Sequence, residues 1–113
     1  MKDKKIFIAG HRGMVGSALL KKLKSLGYFN IITRTRAQLD LLDSHRVRHF
    51  FCREKPQIVI LCAAKVGGIL SNNTYRGEFI YENLMISSNI IKSSQLTGVE
   101  KLINLGSSCI YPK

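Results

Sequence analysis

The hydrophobic positions of this chain fall into short apolar runs separated by longer stretches of helical periodicity. Four runs have the length and composition of strands, at residues 6–9, 30–33, 58–61 and 101–105. The run at 58–61 is continuously apolar, which is typical of a strand buried on both faces. Between these runs, apolar residues recur every three or four positions, which predicts three helices.

Capping residues support the helix boundaries. Gly27 and Gly98 are placed to end the first and third helices, and Asp43 or Ser44 is placed to begin the second. The third helix is expected over residues 78–96. Its predicted core-facing residues are Phe79, Ile80, Leu84, Ile90 and Ile91.

The resulting order β-α-β-α-β-α-β predicts an α/β fold, a Rossmann-like parallel sheet with helices on both faces. We expect the strand order 3-2-1-4. With 113 residues, the chain is expected to form one domain over residues 1–113, the N-terminal part of a dinucleotide-binding fold.

A glycine-rich turn joins the first strand to the first helix. Gly10, Gly13 and Gly16 are spaced three residues apart. In a dinucleotide-binding unit such glycines allow a sharp turn, close approach to a pyrophosphate and tight packing of helix on strand. The helix N-terminus then attracts the phosphates. The spacing is G-x-x-G-x-x-G rather than G-x-G-x-x-G, so an ordinary strand-to-helix turn is the alternative.

Arginines follow the second strand, at the position that meets the adenine ribose in such folds. Arg34 and Arg36 occupy this position, and Arg12 lies within the glycine turn. Arginine suits the 2′-phosphate of NADP, whereas NAD calls for an acidic residue here. We therefore predict NADP, with Asp40 approaching the adenine and the small residues Ala63 and Ala64 allowing close approach after the third strand.

The net charge of +11 favours anionic partners, either phosphorylated small molecules or nucleic acid. The basic residues are dispersed and lack interleaved aromatics, so no nucleic-acid partner is predicted. No apolar run approaches the roughly 20 residues of a membrane helix, and no signal-peptide pattern precedes the first strand. We expect a cytoplasmic protein without membrane association. The three cysteines have no metal-ligand spacing, so no metal site is predicted.

The fourth strand leads into the segment richest in reactive groups. Ser107, Ser108, Cys109 and Tyr111 lie within five residues of one another. A hydroxyl there could bind a substrate carbonyl, and a thiol could act as acid or base. A polar turn with a buried, inert thiol is the alternative.

These segments together resemble the GDP-L-fucose synthases, reductase–epimerases of the extended short-chain dehydrogenase/reductase group. The resemblance is carried by residues 7–18 (FIAGHRGMVGSA), 63–69 (AAKVGGI), 72–75 (NNTY) and 105–113 (LGSSCIYPK). It implies NADPH as cofactor and GDP-4-keto-6-deoxy-D-mannose as substrate. The family epimerises this sugar at carbons 3 and 5 and then reduces its 4-keto group to yield GDP-L-fucose.

The resemblance also implies residue roles. Ser107 would hold the keto oxygen, Cys109 would serve as acid or base in epimerisation, and Arg12 and Arg36 would bind the 2′-phosphate. The predicted cofactor-binding residues are Gly10, Arg12, Gly13, Met14, Val15, Gly16, Arg36, Asp40, Leu41, Ala63, Ala64 and Lys65.

One family feature is missing from these residues. The family uses a Tyr-x-x-x-Lys pair, but the residues four positions after Tyr28, Tyr75 and Tyr81 are Ile32, Phe79 and Met85. Only two residues follow Tyr111. We therefore expect a fragment without the substrate domain, inactive by itself. The family dimerises through a helical bundle, but pairing of this chain is not expected because the partner helix carries the missing tyrosine.

Three other interpretations stay open. Another NAD(P)-dependent sugar-nucleotide epimerase or dehydratase would share most of these segments. A non-enzymatic NADP-sensing Rossmann protein would keep the glycine turn but has no need of the Ser-Ser-Cys cluster. A basic nucleic-acid-binding module would bind DNA with strong salt dependence.

Overall fold

The computed structural model describes residues 2–62 and 76–105; the side chains of residues 76–80 lie outside this description. The four predicted strands and three predicted helices are present in this part of the chain. The elements are β1 (Ile6–Ala9), α1 (Met14–Ser25), β2 (Ile31–Ile32), α2 (Ser44–Glu54), β3 (Ile58–Leu61), α3 (Arg76–Thr97) and β4 (Lys101–Asn104). No helix in this part of the chain is both long enough and apolar enough to span a bilayer.

The strands form one parallel sheet in the order β2-β1-β3-β4. The Rossmann-like class is confirmed, but the predicted order 3-2-1-4 is wrong because β3 pairs with β1 instead of β2. The register aligns Ile6 with Ile58 and Ala9 with Leu61. β2 has only two residues and offers a short hydrogen-bonding edge. The longer, more fully buried β3 gains more by pairing along all four residues of β1.

This strand order places the helices on opposite faces of the sheet. Across the sheet, the chain moves one way from β1 to β2 and the opposite way from β2 to β3. Because both crossovers are right-handed, α1 lies on one face of the sheet and α2 on the other. The two hydrophobic clusters are consistent with helices on opposite faces of the sheet. Ile8 and Ile60 pack with Leu23 of α1, whereas Phe7 and Val59 share a cluster with residues of α2 and α3.

Three phenylalanines attach α2 to the sheet. The ring centroids of Phe7 and Phe50 lie 4.6 Å apart, and Phe51 lies 5.8 Å from each of them in edge-on geometry. Phe7 and Phe51 are almost fully buried. These contacts hold α2 in a defined position beside the end of β2.

The core-facing side of α3 differs from the prediction. Ile90 is fully buried as expected, but Leu84 and Ile91 are 61% and 47% exposed. Adjacent helical residues point about 100° apart, so a helix that buries Ile90 turns Ile91 away. The inward side of α3 is partly polar, and Asn89 donates a hydrogen bond to the Leu41 carbonyl over 2.8 Å. Phe79 and Ile80 are among the side chains outside the described residues.

Candidate functional site

At the carboxyl ends of β1 and β3, the connections that follow the two strands run toward opposite sides of the sheet. The connection from β1 leaves toward β2, and the chain then returns past β1 to reach β3. In open parallel sheets a ligand crevice forms outside the strands at such a switch point. Gly10 follows β1 at this crevice, and Cys62 follows β3.

The glycine turn after β1 has the local geometry expected from the sequence. Gly10 has φ of +88°, a conformation that side chains disfavour. A Cβ atom on Gly16 would lie 2.0 Å from the Gly10 carbonyl oxygen, so α1 packs directly against the turn. A Cβ atom on Gly13 would lie 3.5 Å from the same oxygen, an ordinary contact. The fold therefore requires Gly10 and Gly16, whereas the role of Gly13 toward a ligand stays a prediction.

The N-terminus of α1 opens onto this turn without a side-chain cap. Gly13 is its N-cap residue, and its first turn contains no acidic residue. The side chains of Met14 and Val15 are 90% and 54% exposed. Uncapped N–H groups at a helix N-terminus, together with the helix dipole, form a binding site for an anion.

A cavity of about 230 Å³ lies between this turn, the end of β2, the loop before α2 and α3. Six of the predicted cofactor-binding residues line it: Gly10, Arg12, Gly13, Arg36, Asp40 and Leu41. Met14, Val15 and Gly16 lie in the adjoining first turn of α1. The fold thus brings together predicted cofactor-binding residues that lie up to 31 positions apart in the sequence, from Gly10 to Leu41.

Residues that the sequence interpretation missed also line the cavity. Glu82 and Ile86 come from α3, and Thr35 and Leu39 come from the chain after β2. The α3 residues could not have been found from local patterns, because their position depends on how that helix packs against α2. Leu39 carried a weak signal as an apolar residue between polar neighbours.

The arginines near the cavity have different environments. Arg34 donates to the Thr33 carbonyl (2.8 Å), lies 3.5 Å from a Glu54 carboxylate oxygen and sits over the Phe50 ring at 5.3 Å. Arg12 and Arg36 are exposed and form no ion pair with any side chain described in 2–62 or 81–105. Arg34 is therefore held toward α2, whereas Arg12 and Arg36 are available to an anion in the cavity.

Asp40 stabilises the loop that forms another wall of the cavity. Its Oδ1 accepts a hydrogen bond from the Leu42 amide at 3.0 Å, and its carbonyl accepts one from the Asp43 amide at 3.0 Å. Asp43 then caps α2 by accepting hydrogen bonds from the amides of His45 and Arg46. Of the two residues predicted for this N-cap, Asp43 and Ser44, the structure confirms Asp43. Successive hydrogen bonds thus connect this wall of the cavity to the N-terminus of α2.

Cys62 directly follows β3 and is the last described residue before residue 76. Its amide donates to the Ala9 carbonyl at 2.7 Å, and burial raises the pKa of its thiol. A raised pKa keeps the thiol protonated, which is consistent with the inert role expected for it.

Several predicted site residues lie outside the described residues: Ala63, Ala64 and Lys65 after β3, and Ser107 and Cys109 after β4. Because β1, β3 and β4 are parallel neighbours, both segments follow strands that end at the same edge as the glycine turn. Their roles toward cofactor and substrate stay predictions.

Known proteins resemble this chain over its whole length. GDP-L-fucose synthase 1 of Arabidopsis thaliana is 56% identical over 112 residues, which cover 99% of this chain and 35% of that protein. GDP-L-fucose synthase of Escherichia coli strain K12 is 55% identical over 113 residues, covering 100% and 35%. The chain therefore spans about a third of the length of these relatives.

A solved structure shows the same fold. The GDP-mannoheptose C4 reductase from Campylobacter jejuni, determined with NADP bound, superimposes with a TM-score of 0.85 at 41% identity. The superposition covers 99% of this chain and 35% of the reductase. The model of the NAD dependent epimerase/dehydratase family matches residues 6–113. With the parallel sheet, the glycine turn and the cavity beside it, this match shows that the chain belongs to the NAD dependent epimerase/dehydratase family.

Proposed function

We propose that this chain is the N-terminal, NADP-binding part of a GDP-L-fucose synthase. The observation that carries the proposal is one cavity lined by Arg12 and Arg36 beside the uncapped N-terminus of α1. NADP carries a diphosphate and a separate ribose phosphate, and the cavity offers a binding group for each. Identity of 55–56% to GDP-L-fucose synthases supports the choice within the family.

Each part of the cofactor has candidate partners in this chain. The N-terminus of α1 holds the diphosphate, where Gly13 leaves space for close approach. Arg12 and Arg36 bind the 2′-phosphate, and Asp40 and Leu41 lie beside the adenine. Ala63, Ala64 and Lys65 complete the cofactor site after β3.

The proposed reaction of the whole protein converts GDP-4-keto-6-deoxy-D-mannose to GDP-L-fucose. Bound NADPH supplies the hydride that reduces the 4-keto carbon. Ser107 donates a hydrogen bond to the keto oxygen, and Cys109 moves a proton to or from a carbon beside the ketone during epimerisation. The 113 residues contain no Tyr-x-x-x-Lys pair. We therefore propose that the chain binds the cofactor without turning over substrate.

Calorimetric titration with NADP and NAD tests the cofactor assignment. NADP should bind more tightly, and Arg12→Gln/Arg36→Gln should weaken NADP binding about tenfold or more while leaving NAD binding almost unchanged, because NAD lacks the ribose phosphate. The matched control is Arg48→Gln/Lys92→Gln, which removes the same charge from exposed positions that do not line the cavity. Tighter binding of NAD, or equal losses in the two variants, would contradict the assignment.

A chimera tests the proposed reaction. Residues 1–113 replace the matching first third of the Escherichia coli enzyme, and NADPH oxidation is followed with GDP-4-keto-6-deoxy-D-mannose. We expect activity, and we expect Cys109→Ser in the chimera to lower epimerisation by about 100-fold or more, as for loss of an acid–base group. Cys52→Ser is the matched control, since this exposed thiol lies on α2. A folded chimera that binds NADPH but reduces no keto-sugar would refute the reaction while leaving the cofactor assignment intact.

A second candidate is the reduction of a different GDP-linked sugar. The similarity to the GDP-mannoheptose C4 reductase, with a TM-score of 0.85, favours this alternative. Because the substrate domain lies outside these residues, residues 1–113 are also joined to the remainder of that reductase, and each chimera is compared with its parent enzyme on the parent's own keto-sugar. A smaller loss of activity in the reductase chimera than in the Escherichia coli chimera would favour the second candidate.

A further inference from the structure

A second concave surface lies beside the cofactor cavity, between α2 and the segment that follows β2. It has a volume of about 580 Å³, and the described residues that it shares with the first cavity are Arg34 and Leu39. We call it the α2 groove. Its cationic and imidazole side chains are Arg34, His45, Arg46, His49 and Arg53.

Helical periodicity concentrates these groups along one side of α2. His45, His49 and Arg53 follow one another at intervals of four residues, and Arg46 lies next to the first of them. All four are exposed. They therefore form a continuous row of hydrogen-bond donors facing solvent.

The described lining of the α2 groove has a net positive charge, because it contains three arginines and one glutamate. Glu54 is the carboxylate among its described lining residues, and it is already paired with Lys5 at 3.1 Å and Arg34 at 3.5 Å. Arg46 and Arg53 form no ion pair with any of the side chains described in 2–62 and 81–105. These two guanidinium groups are the ones available to an external anion.

The floor of the α2 groove is closely packed. Phe50 is only 8% exposed and packs against Phe7, and the Arg34 guanidinium lies over its ring. A fixed floor holds the backbone of α2 in place, so less conformational entropy is lost when its side chains bind a ligand. Guanidinium groups suit phosphate in particular, because their paired N–H donors match two phosphate oxygens.

We propose that the α2 groove binds an oligophosphate at a site separate from the cofactor cavity. Arg46 and Arg53 are seven residues apart, which corresponds to about 10 Å along a helix. A single phosphate does not reach both guanidinium groups, whereas a chain of about three phosphates does, with His49 donating between them. The ligand is inorganic oligophosphate or the triphosphate of a nucleotide, which present the same chemistry to the arginines.

Titration with inorganic tripolyphosphate, followed by backbone amide NMR at physiological ionic strength, tests the proposal. The experiment uses the Arg12→Gln/Arg36→Gln background, which weakens phosphate binding in the cofactor cavity whether or not that cavity takes NADP. We expect shifts in the amides of α2. Arg46→Gln/Arg53→Gln should weaken binding about tenfold or more, and Arg46→Lys/Arg53→Lys should fall between, because lysine keeps the charge but loses the bidentate contact.

The matched control removes the same charge from the opposite face of the sheet. Lys21→Gln/Lys22→Gln on α1 should weaken tripolyphosphate binding less than about twofold, because distant surface charges are screened by salt. ATP is titrated in parallel. Tighter binding of ATP than of tripolyphosphate identifies a nucleotide as the ligand, and equal binding shows that the phosphates alone are recognised.

Other outcomes would overturn the proposal. Equal weakening in the α1 and α2 variants would mean that net charge alone attracts the anion. Shifts confined to the N-terminus of α1 would place tripolyphosphate in the cofactor cavity. Absence of binding, or binding of duplex DNA in preference to both oligophosphates, would also refute an oligophosphate site.

Discussion

At the scale of single residues, the three glycines of the first turn illustrate how differently similar positions can be constrained. The Gly10 backbone needs a positive φ, and Gly16 needs the absence of a side chain because the Gly10 carbonyl oxygen occupies that space. Gly13 is subject to neither constraint, because its φ is not positive and a Cβ atom there would make only an ordinary contact. Its replacement therefore separates a requirement of folding from a requirement of ligand binding.

Gly16→Ala should lower the free energy of unfolding by about 3 kcal/mol, because the added methyl group forces α1 away from the turn. The free energy is measured by urea denaturation. Gly13→Ala is the matched control and should change it by less than about 1 kcal/mol, the scale of an N-cap effect, while weakening NADP binding. Equal stability losses in the two variants would contradict this account of the turn.

At the scale of elements, α3 has an exposed apolar side that the sequence pattern assigned in part to the core. Tyr81, Leu84, Ile91 and Leu96 are each between 47% and 61% exposed. The buried side contains Ile86 and Ile90 together with asparagine and serine residues. An exposed apolar stripe of this kind promotes association between molecules.

Leu84→Gln/Ile91→Gln should raise the protein concentration at which aggregation begins, because it removes two exposed apolar side chains. The free energy of unfolding should change by less than about 0.5 kcal/mol, as for surface positions. Light scattering and urea denaturation measure the two effects. Ile90→Gln applies the same change to a buried position and should cost about 3 kcal/mol or more. A large loss of stability in the surface variant would show that this side of α3 is packed.

At the scale of the whole molecule, Gln57 connects the residues that precede β1, β3 and β4, at the end of the sheet opposite the cavity. Its Oε1 accepts from the Lys5 amide (3.0 Å), its carbonyl accepts from the Glu100 amide (2.8 Å), and its Nε2 donates to the Glu100 carboxylate (3.2 Å). Lys4 also pairs with Glu100. Hydrogen bonds from Lys4 and Gln57 hold the pKa of Glu100 below its ordinary value.

A lowered carboxyl pKa stabilises the folded state at pH values above the unfolded-state pKa, and this stabilisation is lost as the pH falls through the folded-state pKa. Glu100→Gln should therefore lower Tm slightly at neutral pH, and the difference from the parent chain should vanish in strong acid. Calorimetric melting curves across this range measure it. Lys4→Gln should add little in the Glu100→Gln background, because their shared ion pair is already lost. A Tm difference that persists in strong acid would exclude the ion pair as its cause.

The sequence by itself determined the elements, the caps and the glycine turn. These features depend on nearest neighbours: a periodicity that buries one side, a side chain that caps a helix, and a φ that only glycine adopts readily. Arg12, Arg36 and Asp40, which the same local chemistry singled out as cofactor-binding residues, line the cavity.

Only the tertiary structure decided the strand order, the rotation of α3 and the separate environments of the arginines. β3 pairs with β1 because the two-residue β2 is a poor partner. The strand order therefore depends on the relative stability of two alternative pairings between segments that lie far apart in the chain. Glu54 holds Arg34 away from Arg36, although these arginines are two residues apart in the sequence. Such outcomes depend on competition between distant contacts, and a local pattern does not encode which contact is stronger.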